Sequence, residues 1–507
     1  MLMTIVPDFG LMFETHFAKV IRPIMSQVLL TLFQQADNAT GTLRERVCNT
    51  LRTAIHSGTL SAGQRLPSSR VLAADLSISR VTAEAAYAQL EAEGYLHRRV
   101  GQGTSVAIQI AKPAPIRKSS GQLRLSQRGL AIVQTGGCRD PQQPLPFAAG
   151  SPDLRAFPLK LWQQLTAQRL RLQGEKLLRY GDPQGYLPLR EAIAGYVGQT
   201  RGVNCDAEQV IVLTSSQQAL QLIATLLIDN GDVVWVEEPG YNGAKNAFTS
   251  AGANLVPVAV DEAGLQPDGS LPPPRLIYLT PSHQYPIGVA LSLERRLALL
   301  EQARRSQSWI IEDDYDSEFH YDGQPMPAMQ GLDRHGTVLY VGTFSKALFP
   351  SLRLAYLIVP PALVAAFTTA RSVYDGHCAQ LAQAVTAEFI LQGHFAAHIR
   401  YMRQLYRSRR DWLLTQLAQH LGHFATPQHA GGGLQLGVWL PVGQEAELTR
   451  QAQQLGVITP GLSTQYQNAR ARRDGWLLGF SALTPGEITL AVERLSRINP
   501  ITANPPT

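Results

Sequence analysis

YVGTFSKALFPSLRLAYLIV, residues 340–359, joins two apolar runs through a short polar turn. The runs are rich in branched and aromatic side chains, which suits strands buried in a sheet. Lys346 stands in the turn, with Thr343 and Ser345 before it and Arg353 after it. An ε-amine is a nucleophile only when unprotonated, and burial beside other cations favours that form. Neighbouring hydroxyls and a guanidinium can bind phosphate through charge-assisted hydrogen bonds. A Ser-Lys pair by itself is usually ordinary surface, so the surrounding chain must carry the reading.

Working outward, short apolar runs (VIVL, VVWVEEP, RLIYLTP, WIIEDDY, TVLYVGTFSK, LRLAYLIV) alternate with helical patterns from about Pro146 onward. Strands between helices indicate an α/β domain with a mostly parallel central sheet. Beyond about Gly376 the pattern is mainly helical. It then becomes a small C-terminal α+β subdomain carried by GGGLQLGVWLP and GWLLGFSAL. Open α/β sheets bind ligands beyond the carboxyl ends of their strands, and chemically capable residues gather there. WIIEDDYDSEF ends a strand on acids, with Asp313 and Tyr315 two residues apart and so on one side. LTSSQQAL puts Ser215 and Ser216 at a strand-to-helix turn, where free N–H groups receive phosphate. EEPGYNG places Tyr241 in a turn after another strand. This set meets the demands of pyridoxal 5′-phosphate: a lysine for the aldehyde, a carboxylate for the pyridine nitrogen, donors for the phosphate and an aromatic ring to stack.

The front of the chain reads differently. Leu43, Val47, Leu51 and Ile55 recur every four residues, predicting a helix over Leu43–His56 that Gly58 stops. SSRVLAADL predicts a second helix, and SISRVTAEAAYAQLEAEG a turn and a third helix closed by Gly94. YLHRRVGQGTSVAI then predicts two short strands around a glycine-rich turn. The third helix would enter a DNA major groove from Ser79, presenting Ser79, Arg80 and Thr82. Arg70 can hold the backbone, and Gly101 and Gly103 let the turn approach phosphates closely, with Arg98 and Arg99 flanking it. Residues 41–110 carry eight basic and five acidic side chains, and residues 111–130 five basic and no acidic ones. Against a formal net charge of +6 for the chain, the positive field is concentrated near the front, as expected of a region that meets phosphates.

The stretch LRTAIHSGTLSAGQRLPSSRVLAADLSISRVTAEAAYAQLEAEGYL and the RRVGQGT turn resemble the GntR type of winged-helix regulator. From about Leu43 to Leu495 the chain resembles the MocR subfamily, which fuses that head to a domain like a fold-type I aminotransferase. FAAGSPDLRAFPLKLWQQL, YGDPQGYLPLREAIAGYVGQTRGV, TPSHQYPIG and HIRYMRQLYRSRRDWL carry the resemblance further. It implies that Lys346 bonds the cofactor aldehyde, Asp313 pairs the ring nitrogen and Tyr315 bonds the ring oxygen. It implies that Arg353, Ser345, Ser215 and Ser216 bind phosphate, that Tyr241 stacks, and that His283, Gln284 and Tyr285 line the pocket. It also implies DNA contacts from Arg70, Ser79, Arg80, Thr82 and Gly101, and a head-to-tail homodimer. Several positions depart from the pattern. Glu84 stands where a basic residue is common, Ile287 where threonine is common, and Ser215 where a phosphate turn usually has glycine. Gly475–Phe480 lacks the late arginine with which enzymes of this fold clamp a substrate carboxylate, leaving Arg470, Arg472 and Arg473 just upstream as substitutes.

With 507 residues the chain exceeds one ordinary core. The expected division is an extension over 1–40, a winged helix-turn-helix over 41–110, a basic flexible linker over 111–145 and an effector domain over 146–500. MSQVLLTLFQQAD, residues 25–37, predicts a helix of unassigned role. Four cysteines without a C-x-x-C pair indicate neither a metal site nor a disulfide framework. No membrane span or secretory signal is expected, so the reading is a cytoplasmic regulator that binds double-stranded DNA and senses the cofactor alone or the cofactor with a small amine or amino acid. A working aminotransferase with a DNA-binding tail is the alternative, and the missing carboxylate clamp weighs against it.

Overall fold

The computed structural model describes residues 28–34, 41–99, 101–107, 125–137, 146–323, 326–428 and 431–500. Most of the extension and most of the basic stretch lie outside those residues. Two compact units divide the chain, residues 1–123 and 124–507.

The first unit contains helices α1 (Leu43–His56), α2 (Ser69–Asp75) and α3 (Arg80–Ala92) and a hairpin of β1 (Leu96–Arg99) with β2 (Gly103–Val106). Each helix starts on a side-chain cap: Thr42 with Glu45 in a reciprocal capping box, Ser68 on Val71, and Ser79 on Thr82. In the hairpin Arg99 pairs with Gly103, and Gly101 and Gly103 take the positive φ that the tight turn requires. Val47, Leu51, Leu72, Ala86, Tyr87 and Leu90 form the core. A helix over residues 28–34 adds Leu29 and Phe33 to that core, with the Arg46 guanidinium 4.6 Å from the Phe33 ring. The packed unit therefore reaches back past residue 41, because its first helix leaves an apolar face that the earlier segment covers.

In the second unit eight strands form one sheet in the order β3-β10-β9-β8-β7-β4-β5-β6. They are β3 (Val210–Leu213), β4 (Val233–Glu238), β5 (Asn254–Asp261), β6 (Gly264–Leu265), β7 (Leu276–Leu279), β8 (Trp309–Asp314), β9 (Val338–Thr343) and β10 (Ala355–Ile358). Pairs β9–β8, β8–β7, β7–β4 and β4–β5 are parallel, whereas β10 runs antiparallel to both β3 and β9. Strands β3, β7, β9 and β10 are buried along their whole length, as a sheet covered on both faces demands. A separate three-stranded sheet, β11 (Thr426–Pro427), β12 (Gln435–Trp439) and β13 (Gly475–Gly479), follows the 27-residue helix His394–His420. Residues 127–134, read from sequence as linker, form a helix that Ser126 caps and that packs against the helix Asn242–Ser250. The Ser126 cap and the contact with that helix hold it, while Leu130, Ile132 and Val133 stay exposed. Among the described residues no helix is long and apolar enough to cross a membrane.

Strand alternation sends Glu312 and Asp314 of β8 to the face opposite Asp313 and Tyr315. Glu312 accepts hydrogen bonds from the N–H groups of Met329 and Gln330 at 2.8 Å each. Asp314 receives Arg201 Nε at 2.9 Å and the Tyr340 hydroxyl, and Arg201 continues to the Met326 carbonyl at 2.9 Å and to Ser282. Burial alone would raise the Asp314 carboxyl, but Arg201 and Tyr340 overcome it and hold the group below its usual range. Arg201→Ala therefore strands a buried carboxylate. Denaturant unfolding of the full chain is expected to show the larger unit weakened by about 3–5 kcal/mol, and a loss under about 1 kcal/mol would contradict this role.

Candidate functional site

Strand β9 leads straight into the turn that carries Lys346. Thr343, its last residue, accepts the Ser345 N–H at 3.1 Å and caps the single-turn helix Phe344–Ala347. The Lys346 ammonium donates to the Gly150 carbonyl at 2.8 Å. Gly150 has φ +73°, and a Cβ there would lie 2.9 Å from Lys346 Nζ, so only glycine lets the backbone pass this close. Arg353 sits in the left-handed region at φ 52°, a conformation that costs a long side chain about 1–3 kcal/mol and that recurs at ligand sites.

The ten residues that the sequence suggested for a cofactor line one cavity of about 380 Å³: Lys346, Asp313, Tyr315, Tyr241, Ser215, Ser216, Thr343, Ser345, Arg353 and Tyr285. Asp313 is buried, and its Oδ2 accepts the Tyr278 hydroxyl at 2.8 Å. Its Oδ1 is also buried and has no hydrogen-bond partner. Burial pushes this carboxyl up to about 7; the Tyr278 bond pulls it down, and Asp314 and Asp316 push it up. The Tyr315 hydroxyl lies 3.0 Å from His283 Nδ1, and Asp316 Oδ2 lies 3.2 Å from the same nitrogen. Tyr241 and Tyr285 meet edge to face with centroids 5.5 Å apart. A Cβ on Gly243 would strike the Tyr241 ring at 2.4 Å, so that glycine makes room for it.

Some expectations change in the folded chain. Ser215 needs no positive φ: it is extended at −168° and caps the helix Ser216–Leu227 by accepting the Gln218 N–H at 3.1 Å. Among the three residues expected from TPSHQYPIG, Tyr285 lines the cavity. His283 buttresses Tyr315 and faces a separate cavity of about 80 Å³. The Gln284 amide instead donates to the carbonyls of Pro239 and Tyr285, at 2.9 and 2.6 Å, which secures the loop. The upstream arginines supply no substitute clamp. Arg473 stacks 4.1 Å from the Trp439 ring beside a different cavity, and Arg470 and Arg472 are exposed. Sequence reading missed Gly150, Tyr278, Asp316, Gln217 and Gln435, all of which line the main cavity. Tyr278 stood inside an apolar strand and Gly150 inside a long matching stretch, so the sequence carried no sign that either faced a ligand.

The donor set fits pyridoxal phosphate. The unpartnered Asp313 Oδ1 is an acceptor that a protonated pyridine nitrogen would satisfy. Lys346 supplies the amine. The first N–H groups of a helix have no partner within it, and Ser216 and Gln217 of Ser216–Leu227 face the cavity beside Arg353.

On the first unit Arg70, Ser79, Arg80 and Gly101 are exposed, and Thr82 is half-buried. Ser79 Oγ accepts the Thr82 N–H at 3.0 Å and lies 2.9 Å from the Thr82 hydroxyl, so these two side chains organise the start of α3. Arg98 is committed internally. Its guanidinium donates to Glu84 at 2.7 Å, pairs with Glu91 at 3.3 Å and lies 5.8 Å from the Tyr87 ring. Glu84, read as a missing positive charge, is the anchor that ties the hairpin to α3. Val81, 78% exposed in the first turn of α3, was not singled out by sequence.

Residues 43–106 match the bacterial regulatory proteins of the gntR family, and residues 143–461 match aminotransferase class I and II. The probable rhizopine catabolism regulatory protein MocR of Rhizobium meliloti is 41% identical over 440 residues, covering 86% of this chain and 89% of that protein. The regulator TauR of Rhodobacter capsulatus is 31% identical, covering 92% of this chain and 98% of that protein. Among solved structures, α-aminoadipate aminotransferase LysN of Thermus thermophilus superposes with a TM-score of 0.65 at 30% identity, covering 70% of this chain and 91% of that one. Kynurenine aminotransferase of Pyrococcus horikoshii gives a TM-score of 0.65 at 26% identity, covering 74% and 94%. With a gntR head, an aminotransferase-like body and similarity that spans both, this chain belongs to the MocR-type helix-turn-helix transcriptional regulators.

Proposed function

We propose that this regulator holds pyridoxal 5′-phosphate on Lys346 and passes the state of that site to a winged-helix head that binds double-stranded DNA. The observation that carries the reading is the buried Asp313 carboxylate, whose Oδ1 lacks a partner in the same cavity as Lys346. When bound, the cofactor supplies an aldehyde and a conjugated ring able to accept electrons. The chain's own residues do the rest. Asp313 keeps the ring nitrogen protonated, Tyr315 meets the ring oxygen, and Tyr241 and Tyr285 enclose the ring. Arg353, Ser345, Ser215, Ser216 and Thr343 neutralise and orient the phosphate. Steady transamination is a weaker reading, because β13 and its approach bring no arginine into this cavity.

The DNA-binding domain spans about residues 41–110, with the helix at 28–34 as part of its support, and the effector domain about 146–500. Arg70 and Gly101 hold the DNA backbone, while Ser79, Arg80 and Thr82 lead α3 into the major groove. Val81 suits a thymine methyl group. The regulator works in the cytoplasm as a head-to-tail homodimer. The exposed Leu172 (61%), Leu178 (79%) and Tyr180 (98%), close together in the chain, support an apolar partner surface. A small amine binding at the cofactor would shift the two DNA-reading heads only if it binds two states with different affinity.

Two measurements test this. Pyridoxal phosphate added to the full chain is expected to give an absorbance band near the blue edge of the visible, and Lys346→Ala to abolish it; an unchanged band in the variant refutes the assignment. Arg80→Ala is expected to weaken operator binding by about 1–3 kcal/mol and to relax sequence preference at one base pair. Equal loss on every DNA sequence would reassign Arg80 to the phosphates.

A further inference from the structure

We propose that His283 is a positioning residue that donates its Nδ1 proton to Tyr315 and so aims the tyrosine's own proton at a ligand oxygen in the cavity. The inference rests on the cofactor reading above and adds to it the direction of one hydrogen bond.

His283 is 7% exposed and stands behind Tyr315, with Nδ1 3.0 Å from the hydroxyl oxygen. Only one hydrogen can occupy that line. Either the ring N–H points at the hydroxyl, or the hydroxyl points at a bare ring nitrogen. Asp316 decides between them. It is 2% exposed, and its Oδ2 lies 3.2 Å from the same Nδ1. A ring nitrogen without its proton would turn a lone pair toward that carboxylate, whereas one that carries the proton attracts it. The neutral ring protonated at Nδ1 and the charged ring both meet this condition, so Nδ1 is the donor in either state. Gly433 keeps the group tight, because a Cβ there would lie 2.2 Å from His283 Cε1 and 2.9 Å from Asp316 Oδ2.

An oxygen that accepts from His283 must send its own proton elsewhere. Burial holds the Tyr315 hydroxyl well above its ordinary range, so the proton stays on it. Tyr315 lines the main cavity with Lys346 and makes no second hydrogen bond to the described residues. The hydroxyl proton is therefore free for an oxygen bound there, which in the reading above is the ring oxygen of the cofactor.

The other charges nearby leave this task to His283. Behind the ring, Arg201 donates to Asp314 and to the Met326 carbonyl, and Arg296 to the carbonyls of Leu291 and Pro281. Burial pushes His320, on the same small cavity, below its usual range. Glu237, which also acts on Tyr315, accepts from the Thr280 hydroxyl. In front, Asp313, Asp316, Lys346, Arg353 and Tyr285 share the main cavity with Tyr315, and all remain when His283 alone is changed.

The test loads the full-length chain with pyridoxal phosphate and titrates its absorbance with pH. A donor at the ring oxygen stabilises negative charge there, and so favours loss of the proton which that oxygen shares with the bonded Lys346 nitrogen. In His283→Leu the midpoint of the spectral change is expected to rise by about one pH unit, a tenfold change in proton affinity. His283→Ala serves the same purpose if the leucine variant does not take up the cofactor. His283→Asn, whose amide can donate from the same place, is expected to keep most of the original midpoint. With Tyr315→Phe already in place, His283→Leu is expected to add no further shift. An unchanged midpoint in His283→Leu or His283→Ala overturns the proposal. A fall overturns it too, since it would show the hydroxyl proton released from the imidazole, and so does a shift in His283→Asn as large as that in His283→Leu. A full further shift in the Tyr315→Phe background overturns the route through the tyrosine. If no cofactor band forms in the unaltered chain, the cofactor reading falls first and this inference with it. A normal band whose midpoint ignores His283 sinks this inference alone.

Discussion

Three acids in a row close strand β8, and a buried carboxylate persists only where cations or donors meet it. The pleat sends them to opposite faces. On one face, backbone N–H groups hold Glu312, while Arg201 and Tyr340 hold Asp314. On the other, Asp313 receives a single hydroxyl, from Tyr278; one oxygen of each aspartate lacks a hydrogen-bond partner, but only Asp314 has a guanidinium against it. The fold compensates its own charge on the structural side and leaves the ligand side half-compensated. That asymmetry suits the cavity to a cationic group, and a protonated ring nitrogen would complete what the chain leaves open.

The rest of the cavity is arranged around that imbalance. The sheet order brings the ends of β3, β4, β7, β8 and β9 together, so residues from distant parts of the chain meet there. Gly150 comes from the segment ahead of the sheet and Gln435 from the C-terminal subdomain, and both approach Lys346. His283 stands behind Tyr315 with Asp316 beside it, so the hydroxyl that faces the cavity is held from outside it. Substituting one of these supports would move a group that touches the ligand without touching the ligand itself.

Charge is treated in the same way in the DNA-reading unit. Arg98 is spent on Glu84 and Glu91, and Arg52 on Glu93 at 2.6 Å. Arg70 and Arg80 remain exposed and make no ion pair with the described residues. The basic surface offered to DNA is therefore smaller than the count of basic residues suggests. The internal pairs set the angle between hairpin and reading helix, a positioning task that unpaired arginines could not perform.

The sequence alone determined the local choices. Hydroxyl caps before periodic apolar runs placed the helices of the head, and apolar runs ending in polar turns placed the strands of the sheet. Residues at those strand ends needed only the rule that a parallel sheet gathers ligands there, which is why Lys346, Asp313, Tyr315 and Ser216 were legible. Tertiary structure decided which groups were already taken. Nothing local shows that Arg98 belongs to Glu84, that the Gln284 amide holds a loop, that residues 28–34 cover the head's core, or that His283 stands behind Tyr315. Hydrogen bonds and desolvation act through space between segments far apart in the chain, so whether a polar side chain is spent or available appears only when the fold brings its partners together or keeps them away.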